Sequence, residues 1–102
     1  MTMITRVGNR AVVQPSGDAI VATNLAELRV QMRDIVNDGV RDLVIDLTSV
    51  RMVDSSGIGL LIAAYNSLRK AGGQMAVIHA SNDLLELFRS MRMHQHFSVS
   101  GN

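Results

Sequence analysis

The run Leu43-Val44-Ile45-Asp46-Leu47 constrains this chain most, because it is apolar at consecutive rather than alternate positions. A strand with one wet face alternates apolar and polar side chains, whereas a strand covered on both faces has no need to. The run therefore predicts an interior strand with helices over both faces of its sheet. A short connection, Thr48 to Val53, leads to a helical pattern that begins at Asp54-Ser55-Ser56 and carries Ile58, Leu61, Ile62, Tyr65 and Leu68 on one stripe. The pattern stops at Ala71-Gly72-Gly73, and the β-rich run Gln74-Met75-Ala76-Val77-Ile78-His79 follows. Such a strand-helix-strand unit requires parallel strands joined by a crossover.

The flanking segments extend this unit. Ile4-Thr5-Arg6-Val7 and Ala11-Val12-Val13-Gln14 are separated by Gly8-Asn9, which suits a tight hairpin, and Pro15 ends the second strand. Between Thr23 and Asn37 the apolar residues Leu25, Leu28, Met32, Ile35 and Val36 recur at helical spacing, with Asn24 and Glu27 as a capping box and Asp38-Gly39 as a stop. A third helix is predicted from about Asn82 to Met91, capped by Ser81 or Asn82, and Phe97-Ser98-Val99 is a candidate last strand. The predicted order is β-β-α-β-α-β-α, an α/β fold with a mixed sheet, an opening antiparallel hairpin and helices packed on the sheet. One domain over residues 1–102 is expected, with residues 1–2 and about 100–102 frayed.

Composition removes several classes of function. The chain has no cysteine, which excludes disulfides, thiolate catalysis and cysteine-ligated zinc and fits a reducing, cytoplasmic compartment. Two Phe, one Tyr and no Trp leave little aromatic surface for stacking bases. A net charge of +1, with the basic residues scattered, argues against nucleic acid and anionic lipid as partners. The longest apolar run, Ile58 to Tyr65, is far short of a bilayer span, so no membrane insertion is expected, and the first residues carry no export-signal pattern.

Chemistry is best sought at Asp54-Ser55-Ser56-Gly57-Ile58-Gly59. In open parallel sheets, ligands gather beyond the carboxyl ends of the strands, which is where this loop lies. The two hydroxyls stand at a helix N-terminus, where unpaired N–H groups and the helix dipole favour an anion such as a phosphoryl group. The plainer reading makes Asp54 or Ser55 an N-cap and lets the glycines serve close packing. Two glycines in a first helical turn disfavour the helix, by about 1 kcal/mol each relative to alanine, and so invite a reason such as close approach by a partner's backbone. Met52, with Val53 and Ile58 as apolar neighbours, is a candidate contact surface if exposed and mere packing if buried.

Other constellations rank lower. Ser67-Leu68-Arg69-Lys70 has the Ser-x-x-Lys spacing of some acyl-transfer enzymes, but it closes a helix and lacks the companion Lys-Thr-Gly. His94 and His96 have no local third ligand, so no metal site is expected. Asp18, Asp46 and Asp54 could converge at one sheet edge like an acid pair or a magnesium site, but no phosphate-cradling Gly-x-x-x-x-Gly-Lys loop accompanies them, and Asp46 reads better as a capping or loop-fixing residue. No catalytic residue and no cofactor is assigned.

The segment from Leu43 to Leu47, followed by Val53-Asp54-Ser55-Ser56-Gly57-Ile58-Gly59-Leu60-Leu61, resembles the signature of the STAS family, and within it bacterial anti-sigma factor antagonists. The order of elements, the length and Gly72-Gly73-Gln74-Met75-Ala76-Val77 are similar too, so the likeness spans nearly the whole chain. It departs from the family where Gly17 is followed by Asp18-Ala19-Ile20, since many members carry Gly-Glu-Leu-Asp there. The resemblance implies that Ser55 is phosphorylated by a partner that is both serine kinase and anti-sigma factor. It also implies that the unphosphorylated protein binds that partner and frees a sigma factor, and that a serine phosphatase restores the active form. ATP would belong to the kinase. The alternative within the family is a STAS regulatory subunit of a membrane transporter ATPase, which binds without phosphorylation.

Overall fold

The computed structural model describes residues 2–101. Strands β1 (Met3–Val7) and β2 (Arg10–Gln14) form the expected antiparallel hairpin, with Val7 opposite Arg10 across Gly8-Asn9. After β3 (Ala19–Ile20) and a 3-10 turn (Ala22–Asn24) come α1 (Leu25–Asn37) and β4 (Asp42–Asp46). Next follow β5 (Met52–Val53), α2 (Ser55–Lys70), β6 (Gln74–Ala80) and α3 (Asn82–Ser90). A 3-10 turn (Met93–Gln95) and β7 (Ser98–Gly101) complete the chain. The main sheet runs β1-β2-β4-β6-β7, parallel except for the hairpin, and β3 pairs with β5 in a separate two-stranded ribbon.

The helices build one core. Ala11, Val13, Leu43, Ile45, Met75 and Val77 point from the sheet into a cluster with Leu28, Met32 and Ile35 of α1, Ile58, Leu61 and Leu68 of α2, and Leu84 and Phe88 of α3. Val44 points the other way, as alternation along a strand requires, and stands outside that cluster although only 5% exposed. Its neighbours in register are Val12 on β2 and Ala76 on β6. The expectation of helices over both faces of this strand is therefore corrected. Val44 is shielded by the strands beside it, and the helices share the opposite face.

Three further expectations change. Asn24 does not form a capping box with Glu27. Its Oδ1 accepts the Val21 N–H at 2.9 Å and its Nδ2 donates to the Ala19 carbonyl at 2.8 Å, so it fastens the turn after β3. The β3–β5 ribbon, two residues on each side, carries no periodicity that a sequence reading could detect. Of the residues expected to fray, 1 and 102 lie outside the described residues, whereas Ser100 and Gly101 belong to β7.

Candidate functional site

The β3–β5 ribbon positions the segment that leads into α2. Ala19 pairs with Met52 and Ile20 with Val53, and the Ile20 carbonyl then accepts the Asp54 N–H at 3.2 Å. Asp54 has extended backbone and caps α2, its Oδ1 accepting the Gly57 N–H at 2.9 Å. Its Oδ2 accepts the Ala22 N–H at 3.1 Å from the turn after β3. The Gly57 amide, and after it the Ala22 amide, holds the Asp54 carboxyl below its ordinary value, because both bonds favour the charged form.

Ser55 is the first residue of α2 and is exposed. Its side chain makes no hydrogen bond among the described residues. With Asp54 supplying the cap, the Ser55 hydroxyl is not needed to satisfy the helix end. Ser56 is half-buried. Along α2, Gly59, Ala63 and Ser67 follow Ser55 at four-residue intervals, and all are exposed. Ile62 is 40% exposed, and Met52, on β5, is 56% exposed.

The predicted contact set divides accordingly. Met52 lies on the surface, but Val53 and Ile58 are 6% and 4% exposed and belong to the core. They are corrected to packing residues, because β5 alternates and Ile58 faces inward from the first turn of α2. The two glycines also separate. A Cβ on Gly57 would lie 2.5 Å from the Ile20 carbonyl oxygen and 2.6 Å from Val53 Cγ1, so the close approach it permits is internal. A Cβ on Gly59 would meet nothing within 4 Å. Ile20, the position at which the sequence resemblance shows its departure, is 2% exposed and packs in the same core. Sequence reasoning missed Ile62 as a surface residue, having placed it on the buried stripe.

The rival clusters do not assemble with this one. Asp46 fixes its own loop, accepting the Thr48 N–H at 3.0 Å and the Thr48 hydroxyl, and its Oδ1 lies 3.0 Å from His79 Nδ1. Burial pushes its carboxyl up, but the Thr48 and His79 hydrogen bonds outweigh this and hold it below the ordinary value. The Asp18 carbonyl accepts the N–H groups of Arg51 and Met52. His96 packs its ring against Tyr65 at 5.8 Å between centroids, while His94 sits in the 3-10 turn after α3. Among the described residues, no three His, Asp or Glu side chains gather into a metal site. Ser67 and Lys70 lie exposed at the far end of α2.

A sequence-family model of the STAS domain matches residues 2–102. The chain belongs to the STAS domain family. Solved structures share the STAS fold. An anti-sigma factor antagonist from Mycobacterium paratuberculosis is 24% identical at a TM-score of 0.86, over 100% of this chain and 86% of that one. A STAS anti-sigma-factor antagonist protein from Planctomyces limnophilus is 15% identical at 0.87, over 99% and 90%. The phosphorylated form of SpoIIAA, a Bacillus cell fate determinant, is 15% identical at 0.76, over 97% and 90%. Likeness at these identities fixes the fold alone. Among the described residues no helix is long and apolar enough to cross a membrane.

Proposed function

We propose that this STAS domain is an anti-sigma factor antagonist. Its unphosphorylated form binds a serine-kinase anti-sigma factor in the cytoplasm and releases the sigma factor, and phosphorylation on Ser55 switches that binding off. The observation that carries the reading is the exposed Ser55 hydroxyl at the start of α2, with exposed Gly59 and Ile62 about one and two turns further along the helix and exposed Met52 on β5 before it. The role is regulatory rather than catalytic and needs no cofactor on this chain.

The switch follows from electrostatics. The γ-phosphoryl group of the kinase's ATP passes to Ser55 Oγ, ADP leaves, and the hydroxyl proton goes to a base of the kinase. The new group adds about −1.5 to −2 charges next to the Asp54 carboxylate. The N-terminus of α2 stabilises that charge locally, so the fold survives. A partner packed over Met52 and Ile62 must instead desolvate the phosphate and meet repulsion. A serine phosphatase would reverse the change.

Incubation with a serine-kinase anti-sigma factor and ATP, followed by phosphosite mass spectrometry, should find one phosphate, on Ser55. In titration calorimetry Ser55→Ala should bind as wild type does, and Ser55→Asp should bind at least about tenfold more weakly. Equal affinities for wild type and Ser55→Asp would remove the switch. Phosphorylation-independent binding to a transporter ATPase would favour the other STAS role, a regulatory transporter subunit.

A further inference from the structure

The two outer strands of the main sheet, β1 and β7, are not alike. At β7 the ladder with β6 shifts its register between Val77 and Ala80, and a bulge of this kind twists an edge out of reach of further strands. β1 pairs with β2 over all five of its residues without a shift, and Met3–Val7 contains neither proline nor lysine. Its one charged side chain, Arg6, is drawn aside to Asp38 at the end of α1, 3.2 Å away. None of the usual devices that blunt an edge strand is present on β1.

The register fixes which backbone groups of β1 face outward. The Asn9 carbonyl accepts the Asp42 N–H at 3.1 Å, so the odd-numbered residues of β2 bond toward β4 and the even-numbered ones toward β1. Met3, Thr5 and Val7 stand opposite those even-numbered residues and turn their N–H and C=O groups to β2. The corresponding groups of Ile4 and Arg6 point away from the sheet, and among the described residues no strand lies on that side. Thr5 is opposite Val12, which is in register with Val44, so Met3, Thr5 and Val7 share the face of the sheet that the helices leave open. Met3 and Val7 are 65% and 75% exposed, more than any other large apolar residue among the described ones.

We propose that β1 pairs antiparallel with β1 of a second copy of this chain, about a twofold axis through Thr5, so that two sheets become one. Ile4 then stands opposite Arg6 of the second copy, and Arg6 opposite its Ile4, and each pair exchanges N–H and C=O bonds. Met3 comes against Val7 of the second copy, and Val7 against its Met3, in the pairs where side chains lie closest. The two most exposed apolar residues cover each other twice. Other registers that bond through Ile4 and Arg6 do worse. An axis at Arg6 sets two guanidinium groups face to face and brings Ile4 against Gly8, which at φ 60° has left the strand. An axis at Ile4 pairs Arg6 with Thr2, which lies outside β1. The spacing of Met3 and Val7 about Thr5 is what selects a copy of this chain over a strand of another protein, because only a twofold contact uses that symmetry. The contact is small, so the dimer is a reversible one, and it does not involve Ser55.

Sedimentation equilibrium of the whole chain tests this. The average mass of the wild type should rise with concentration toward that of two chains. One double variant carries Met3→Lys and Val7→Lys, the other Met3→Glu and Val7→Glu, and each puts like charges opposite one another at both ends of the paired strands. Each alone should associate at least about tenfold more weakly than the wild type. Both positions are exposed, so both variants should keep the fold. Mixed in equal amounts they set lysine against glutamate at each end, and association should return. Arg6→Pro removes one outward N–H and no bond to β2, and should weaken association too. A wild type that keeps the mass of one chain up to about 1 mM would overturn the proposal. So would variants that associate as the wild type does, or a mixture of the two charged variants that is no heavier than either alone.

Discussion

The two oxygens of Asp54 tie together backbone segments that are distant in sequence: Oδ2 takes the N–H of Ala22 at 3.1 Å while Oδ1 takes the N–H of Gly57 at 2.9 Å. One carboxylate thus clamps the turn after β3 to the first turn of α2, and the Asp54 N–H returns a bond to Ile20. This division of labour leaves the neighbouring hydroxyl idle in the fold. The residue before Ser55 does the structural work, so the serine can be modified without unfastening the helix.

Asp54→Ala should lower the urea midpoint of unfolding at neutral pH. The Asp54 carboxyl lies below its ordinary value of 3.8, so it stabilises the folded chain above that value and ceases to as pH falls through the depressed one. The gap between wild type and variant should therefore be full at neutral pH and close in strong acid. A gap that stays constant with pH would mean the carboxylate charge is irrelevant to the clamp.

Gly57 and Gly59 should respond oppositely to alanine. At Gly57 the added carbon meets the Ile20 carbonyl and Val53 at distances that real contacts do not reach, and backbone must shift. Gly57→Ala should cost about 1–3 kcal/mol from overpacking, offset in part by helix propensity. Gly59→Ala finds open space and should stabilise the domain by about 0.5–1 kcal/mol. If Gly59 exists for a partner's backbone, the stabilised variant should also bind the proposed anti-sigma factor partner more weakly. Chemical denaturation and calorimetry on the same two proteins separate the effects.

The same glycines show what a sequence can disclose. Both advertise a close approach, but only the β3–β5 ribbon decides that Gly57 is approached from within, and that ribbon is too short to leave a period. The main elements were legible because Leu43 to Leu47, the stripe in α1 and the Gly8-Asn9 turn each obey local rules. The run at Leu43 to Leu47 misled on one point, since burial by flanking strands and burial by helices both favour an apolar residue at Val44. Ile62 falls on the stripe with Ile58, Leu61, Tyr65 and Leu68, and with no charged residue between Ser55 and Leu68 nothing marks where that buried face ends, which conceals its exposure.

Stability and binding should therefore separate among four apolar residues. Ile58→Ala should destabilise the domain by about 2–4 kcal/mol, and Val53→Ala should also lower stability, because both lie in the core. Met52→Ala and Ile62→Ala should change stability by less than about 0.5 kcal/mol. Their effect should instead be seen in calorimetry as weaker binding to the proposed anti-sigma factor partner. Full affinity in the Met52 and Ile62 double variant would exclude this surface from the interface.

His79 occupies the left-handed region at φ 58°, inside an irregularity where β6 holds an extra residue against β7 between Val77 and Ala80. The bulge turns its ring toward β4, setting Nδ1 3.0 Å from Asp46 and 3.1 Å from Thr48 Oγ1. His79→Val should cost about 1–2 kcal/mol for left-handed strain in a β-branched residue, besides the lost ring contacts. His79→Asn, whose side chain tolerates that backbone, should recover most of the strain but not the contact with Asp46. Asp46, whose carboxyl is also held low, stabilises the fold above 3.8 and loses that contribution as pH falls through its depressed value. Denaturation of wild type and Asp46→Asn between about pH 7 and pH 2 should show the two curves converging in acid. Parallel curves would mean that the His79 bulge, rather than the Asp46 charge, holds this end of the sheet together.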